Sequence, residues 1–66
     1  MNITINGKAF DLPQGSTLED ALTAASIGKQ GIATALNNTV VPAAMRPQTQ
    51  LADGDSITVI TAFYGG

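Results

Sequence analysis

The chain has 66 residues and a formal net charge of −2 at pH 7, with no histidine and no cysteine. A domain this small leaves little interior room for an active-site cavity, and it lacks the commonest general base, the commonest metal ligands and any disulfide. The missing groups argue against a free-standing enzyme. Three cationic side chains are too few for a phosphate-binding patch, so the composition also argues against a nucleic-acid partner.

The first predicted element is a β-hairpin over residues 1–12. The pair Asn6-Gly7 is typical of a two-residue type I′ turn, because both central positions of that turn need positive φ. Folding about this turn places Ile3 opposite Phe10 and collects the apolar side chains of both strands on one face. We therefore expect a hairpin with one buried face.

A helix is predicted next. Ser16 and Glu19 have the S-x-x-E spacing of a capping box, which predicts that the helix begins at Ser16. Apolar residues then recur at i, i+3, i+4 and i+7, as expected for a helix with one buried side. These residues are Leu18, Ala21, Leu22 and Ala25. Gly28 is the expected stop just past the end of the helix.

A second hairpin is predicted after the helix. Residues 32–36 alternate as in a strand, although the sequence leaves open which set of side chains faces the helix. Asn37-Asn38 predicts a turn, and Val40-Val41 predicts a very short strand that follows it. Two short strands joined by a tight turn are therefore expected in this part of the chain.

The last strand is predicted over residues 57–63. Residues 43–50 are a connector in which Pro47 prevents a long helix, and residues 53–55 (D-G-D) form a tight turn into the strand. Two carboxylates around a glycine fall short of the six to eight oxygens that calcium takes, so we expect no metal site there.

The order of elements predicts an α+β fold of the β-grasp, ubiquitin-like kind. We expect a mixed sheet of four to five strands, with one main helix packed across one face and the last strand in a central position. The helix then forms part of a crossover that lets a strand of the first hairpin run parallel to the last strand. Residues 1–66 are predicted to be a single domain in which residues 63–66 are a flexible C-terminal tail.

Three segments of this sequence resemble one known family. They are I-A-T-A-L-N-N-T-V-V-P at 32–42, L-A-D-G-D-S-I-T-V-I at 51–60, and the terminal Gly65-Gly66. Together they look like the ThiS family, the sulfur carrier proteins of thiamine biosynthesis. The short N-N-x-V-V-P connector, and A-F-Y at 62–64 where the molybdopterin-synthase small subunit often has prolines, favour ThiS over that relative.

The resemblance implies a mechanism centred on Gly66. An E1-like, ThiF-like partner uses ATP to convert the Gly66 carboxylate into a glycyl adenylate, and a sulfur source then converts it into a thiocarboxylate, a 1-thioglycine. The implied donor is a cysteine desulfurase or a persulfide protein, and the implied acceptor is a ThiG-like thiazole synthase. The chain is then a protein cosubstrate with no intrinsically bound cofactor, rather than an enzyme.

Three further residues are candidate contacts in this mechanism. Gly65 keeps the stem of the tail thin enough to pass through a narrow slot in a partner. Tyr64 is a core or rim residue if the last strand packs to its end; if the tail leaves the sheet, which we favour, Tyr64 is an exposed contact of the type enriched at interfaces. Alternation along the last strand directs Ile60 away from the helix, where neighbours such as Leu36 or Ala62 would complete a docking patch.

Other functions remain open from the sequence. The carrier could serve molybdopterin synthesis or another sulfur-transfer pathway, or be a ubiquitin-like modifier joined to proteins through Gly66, and a plain interaction domain is the third alternative. No stretch approaches about 18 consecutive apolar residues, and Met1 leads directly into a strand-like run. We therefore expect a cytoplasmic protein with no membrane partner.

Overall fold

One helix lies across one face of a five-stranded sheet. A computed structural model of the protein describes residues 1–61. The elements are β1 (Asn2–Ile5), β2 (Lys8–Asp11), α1 (Leu18–Ala24), β3 (Ile32–Leu36), β4 (Thr39–Val41), a 3-10 helix (Ala43–Gln48) and β5 (Ser56–Thr61). The strand order is β2-β1-β5-β3-β4. β1 and β5 run parallel, and the other neighbouring pairs run antiparallel. The predicted β-grasp fold, with the last strand in the centre of the sheet, is confirmed.

The first hairpin has the predicted turn and register. Asn6 and Gly7 have φ values of 50° and 82°, as a type I′ turn requires. Ile3 lies opposite Phe10. Ile3 is fully buried and Phe10 is partly buried against the same core, so the side-chain period and the turn chemistry agree.

The helix begins one residue later than predicted. Thr17 is the N-cap: its hydroxyl accepts a hydrogen bond from the Asp20 amide (3.2 Å), and the Asp20 carboxylate accepts one from the Thr17 amide (2.9 Å). The predicted Ser16–Glu19 capping box is therefore wrong. Ser16 is instead buried and donates its hydroxyl proton to the carbonyl oxygen of Pro13 (2.8 Å), so it belongs to the turn that precedes the helix.

The helix ends before the predicted stop at Gly28. Ser26 adopts the left-handed conformation (φ 58°) and donates its amide to the Thr23 carbonyl oxygen (3.1 Å). The Ile27 amide donates to the Leu22 carbonyl oxygen (2.9 Å), which completes a Schellman motif. Ile27 packs against the core, so the motif brings an apolar side chain inward and ends the helix before the glycine.

The core lies between the helix and one face of the sheet. All three buried residues of α1 (Leu18, Ala21 and Leu22) are among the predicted apolar positions. The buried hydrophobic residues are Ile3, Ile5, Leu12, Leu18, Ala21, Leu22, Val41, Leu51 and Ile57. The predicted amphipathic helix is thus confirmed, and its small alanine permits close packing on the strands.

The second hairpin settles which side of β3 faces the helix. Asn37 and Asn38 both have positive φ (49° and 70°) and form the predicted turn. Thr34 is buried, and Leu36 on the same side packs against the core. The set containing Ile32, Thr34 and Leu36 therefore faces the helix.

The connector contains an element that the sequence did not predict. Pro47 lies inside the 3-10 helix, whose Arg46 side chain is only 4% exposed. The guanidinium donates from Nε to Thr34 Oγ1 (3.1 Å), from Nη1 to the Lys29 carbonyl oxygen (3.0 Å) and from Nη2 to the Ile32 carbonyl oxygen (3.0 Å). Arg46 thus links the 3-10 helix to β3 and to the loop before it.

The turn into β5 is the predicted one. Gly54 has φ 89°, and the Asp55 carboxylate accepts a hydrogen bond from the Ala52 amide (2.7 Å). β5 is described as far as Thr61, and the end of the predicted strand at Phe63 lies outside the described residues. Within residues 1–61 no helix is long and apolar enough to cross a membrane, and no three metal-ligating side chains cluster.

Replacing Arg46 tests its role in the fold. We expect Arg46→Met to lower the free energy of unfolding by about 2–4 kcal/mol, because the buried Thr34 hydroxyl and the partly buried carbonyl oxygens of Lys29 and Ile32 all lose their donor. The matched control is Lys29→Met, which removes a half-exposed cation in a surface ion pair with Glu19 and should cost less than about 1 kcal/mol. Urea unfolding of both variants makes the comparison, and equal midpoints would contradict the role of Arg46.

Candidate functional site

The candidate site is the end of β5, from which the chain continues to its terminal glycines. Gly66, Gly65 and Tyr64 lie outside the described residues, so their predicted roles stay predictions. The strand that leads to them is central, with β1 on one edge and β3 on the other. The last described residue, Thr61, still pairs with Ile32. The folded sheet therefore supports the chain up to Thr61.

The two edges of β5 are supported in different ways. On the β3 side, backbone pairing continues to the end of the described strand. On the β1 side the paired register ends at Ile57, which lies opposite Ile5. Beyond Ile57, the Asn6 side chain forms hydrogen bonds with both the amide and the carbonyl oxygen of Val59. The sequence marks Asn6 as a turn residue, but no local pattern predicts this contact, because its partner lies more than fifty positions away.

Alternation along β5 places Ile60 on the face opposite the helix, as predicted. Its side chain is 62% exposed, whereas Ile57 on the helix side is fully buried. Ala33 lies opposite Ile60, and Ala35 of the same strand lies opposite Val40, which is 73% exposed. We call Ala33, Ala35, Val40 and Ile60 the open-face patch.

The predicted patch had a different composition. Leu36 was expected to neighbour Ile60, but it lies opposite Ile57 and packs against the core on the helix side. This part of the prediction is wrong because side chains alternate between the two faces of the sheet, and Leu36 and Ile60 lie on opposite faces. Ala62, the other expected neighbour, lies outside the described residues.

Fixed charge is distributed unevenly along the sheet. Three of the five acidic side chains lie around the end where β5 begins. Asp53 accepts from the Asn2 amide (2.6 Å), Asp55 accepts from the Asn37 side chain (2.9 Å), and Asp11 lies opposite Asn2. These carboxylates are therefore separated by the length of β5 from the end that leads to the glycines.

Comparisons with known proteins agree with one another. The profile of the ThiS family matches residues 3–66. The crystal structure of thiamine biosynthesis protein ThiS from Geobacter metallireducens is similar, with 26% identity and a TM-score of 0.81, covering 100% of this chain and 99% of that one. The NMR solution structure of a thiamine biosynthesis protein from the same organism has 26% identity and a TM-score of 0.77, covering 100% and 88%. No curated protein sequence matches the chain.

The same substitution on the two faces of β5 tests the assignment of the open face. We expect Ile60→Asp to fold and to lose about 1 kcal/mol of unfolding free energy or less, because the carboxylate stays in water and only strand propensity changes. Ile57→Asp should not fold, since it places an unpaired charge in the core. Circular dichroism and urea titration measure both outcomes. Loss of structure in Ile60→Asp would contradict the assignment.

Proposed function

Because the chain belongs to the ThiS family, we propose that it is a sulfur carrier in thiamine biosynthesis and that the carboxylate of Gly66 is its reactive group. The match confirms the predicted family resemblance, and it extends to residue 66. The observation that carries the proposal is the family match over residues 3–66, and it is supported by a central strand whose described part ends five residues before Gly66 in the sequence.

The first proposed step activates the carboxylate. An oxygen of Gly66 attacks the α-phosphorus of ATP, the bond to the bridging oxygen breaks, and pyrophosphate leaves. The product is a mixed anhydride whose leaving group is AMP, whereas a free carboxylate would have to expel oxide. A ThiF-like adenylating enzyme supplies the ATP site, so the chain acts as a cosubstrate and has no need of a nucleotide site of its own.

The second proposed step introduces sulfur. The chain has no cysteine, so a sulfur nucleophile from outside attacks the carbonyl carbon and AMP leaves. If the nucleophile is the persulfide of a donor such as a cysteine desulfurase, the product is an acyl disulfide, and a second thiol reduces its S–S bond to release the thiocarboxylate. A ThiG-like thiazole synthase is the proposed acceptor. We assign this sequence of reactions to the cytoplasm.

The dimensions of the chain support delivery of the terminus into a partner. Residues 62–66, if extended, span at most about 17 Å beyond the described part of β5. Gly65 has no side chain to clash with the wall of a narrow channel. We propose that Tyr64 contacts the rim of such a channel, since aromatic residues with a polar tip are favoured at interfaces.

The open-face patch supports a role in docking. Two well-exposed apolar side chains, Val40 of β4 and Ile60 of β5, lie on the same face of the sheet. The strand between them, β3, presents Ala33 and Ala35 on that face. Small residues between larger ones let a partner surface approach the sheet closely. We propose that this patch and Tyr64 together contact the adenylating enzyme while Gly66 reaches the nucleotide.

Deletion of Gly66 tests the reactive group. We expect the shortened chain to unfold like the full chain but to lose ATP-dependent adenylation, because its carboxylate ends one residue short of the α-phosphate. Pyrophosphate release in the presence of a ThiF-like enzyme measures the activity. Adenylation that survives the deletion would contradict the assignment of Gly66.

The intact mass of the protein isolated from cells distinguishes the candidate functions. A carrier should show a species in which one oxygen is replaced by one sulfur. A protein modifier should appear in larger conjugates, which would favour that alternative, and a plain interaction domain should show neither species.

Docking through the open-face patch has its own test. We expect Ile60→Asp to weaken binding to the adenylating enzyme about tenfold, because a carboxylate replaces an apolar anchor. The control is Ala9→Asp, which adds the same charge to an exposed position on the edge strand β2, away from the patch. Binding measured by calorimetry should be unchanged in the control, and equal weakening in both variants would indicate a general charge effect instead.

A further inference from the structure

The Asn6 side chain acts as an additional strand partner for β5. Its Oδ1 accepts a hydrogen bond from the Val59 amide (2.8 Å), and its Nδ2 donates to the Val59 carbonyl oxygen (3.2 Å). The chemistry of the backbone determines the orientation of the side-chain amide, because a backbone N–H needs an acceptor and a backbone carbonyl needs a donor. The side chain therefore bonds the peptide groups of Val59 as a neighbouring strand would.

This contact lies where the parallel pairing would otherwise stop. The Asn6 amide donates to the Ile57 carbonyl oxygen (2.9 Å), and the chain then turns away from β5 at Gly7. Because successive amides of a strand point to alternate edges, Val59 is the next residue that faces the β1 side. The side chain of Asn6 thus extends the support of β5 by one further bonded position toward residues 62–66.

A similar contact occurs at the other end of the strand. Asn37, also at positive φ in a hairpin turn, accepts from the Ser56 amide through Oδ1 (2.9 Å) and donates to the Asp55 carboxylate (2.9 Å). Asn37 therefore holds the start of β5 from the β3 side, and Asn6 holds its later part from the β1 side. The two contacts differ in position, because the one made by Asn6 lies nearer the C-terminal end of β5.

We propose that Asn6 is a positioning residue that holds the end of β5 from which residues 62–66 continue, an inference that rests on the proposed carrier function. Without the Asn6 contact, the β1 edge of β5 loses its partner from Val59 onward. More residues must then be ordered when the terminus enters the adenylating site, and each ordered residue costs backbone entropy. Chemistry at a terminus that is already seated is unaffected.

Asn6→Gly tests this role without disturbing the turn. Glycine is suited to the first position of a type I′ turn, and it removes both the acceptor for the Val59 amide and the donor to the Val59 carbonyl oxygen. The control is Asn38→Gly, the same substitution at a positive-φ turn position whose side chain makes no hydrogen bond within residues 1–61.

Amide hydrogen exchange measures the contact independently of any partner. In Asn6→Gly the Val59 amide should exchange about two- to tenfold faster than in the unmodified protein, the range expected for loss of one hydrogen-bonded contact. The amides of Thr58 and Ile60 point toward β3 and should change less. An unchanged Val59 rate in Asn6→Gly, or equal acceleration in Asn38→Gly, would overturn the contact.

Adenylation kinetics measure the positioning role. With a ThiF-like enzyme and ATP, Asn6→Gly should lower kcat/KM about three- to tenfold through a higher KM, with kcat nearly unchanged, whereas Asn38→Gly should match the unmodified protein. A faster Val59 exchange with unchanged kcat/KM would overturn the positioning role alone. Absence of adenylation of the unmodified protein would overturn the proposed function, and the exchange rates would still decide the contact.

Discussion

The parallel pairing of β1 with β5 is the constraint from which the rest of the fold follows. Parallel neighbours need a long crossover connection, and here the helix, the second hairpin and the 3-10 helix all belong to it. The pairing brings the last strand into the centre of the sheet, where both of its edges are bonded. The strand that directly precedes residues 62–66 is therefore bonded along both edges and does not fray easily.

Arg46 shows how so small a domain closes the side of its core near β3. Thr34 occupies a core-facing position at which an apolar residue would be usual, and its hydroxyl both donates to the Val41 carbonyl oxygen (2.9 Å) and accepts from Arg46. The guanidinium takes its remaining acceptors from backbone carbonyl oxygens rather than from a carboxylate. Its fixed planar geometry therefore specifies the conformation of the loop before β3, a role that a flexible ammonium group would fill poorly.

The sequence predicted the features that depend on neighbouring residues, and it missed those that depend on residues far apart in the chain. The two hairpin turns and the buried side of the helix follow from neighbouring residues and were predicted. The capping box was assigned to Ser16 instead of Thr17 because the two spacings S-x-x-E and T-x-x-D overlap, and a tertiary contact selects between them: the Leu18 amide donates to the Thr49 carbonyl oxygen (2.8 Å). Arg46 and Asn6 likewise act on partners that no local pattern identifies. In the candidate site, the exposure of Ile60 was predictable from alternation, whereas its true neighbours required the strand order.

The distribution of carboxylates bears on why a terminal carboxylate would be the one activated. Each acidic side chain is engaged within the fold. Asp20 caps the helix, Asp53 and Asp55 accept from backbone amides around the last turn, Asp11 pairs with the N-terminal ammonium group (3.3 Å), and Glu19 pairs with Lys29 (3.2 Å). Carboxylates that accept from backbone amides, those of Asp20, Asp53 and Asp55, are held in place and are less available as nucleophiles. The surface ion pairs of Asp11 and Glu19 constrain those two carboxylates far less. In the proposed mechanism, the engagement of the first three therefore adds to the fit of the glycines to a partner in selecting the carboxylate of residue 66.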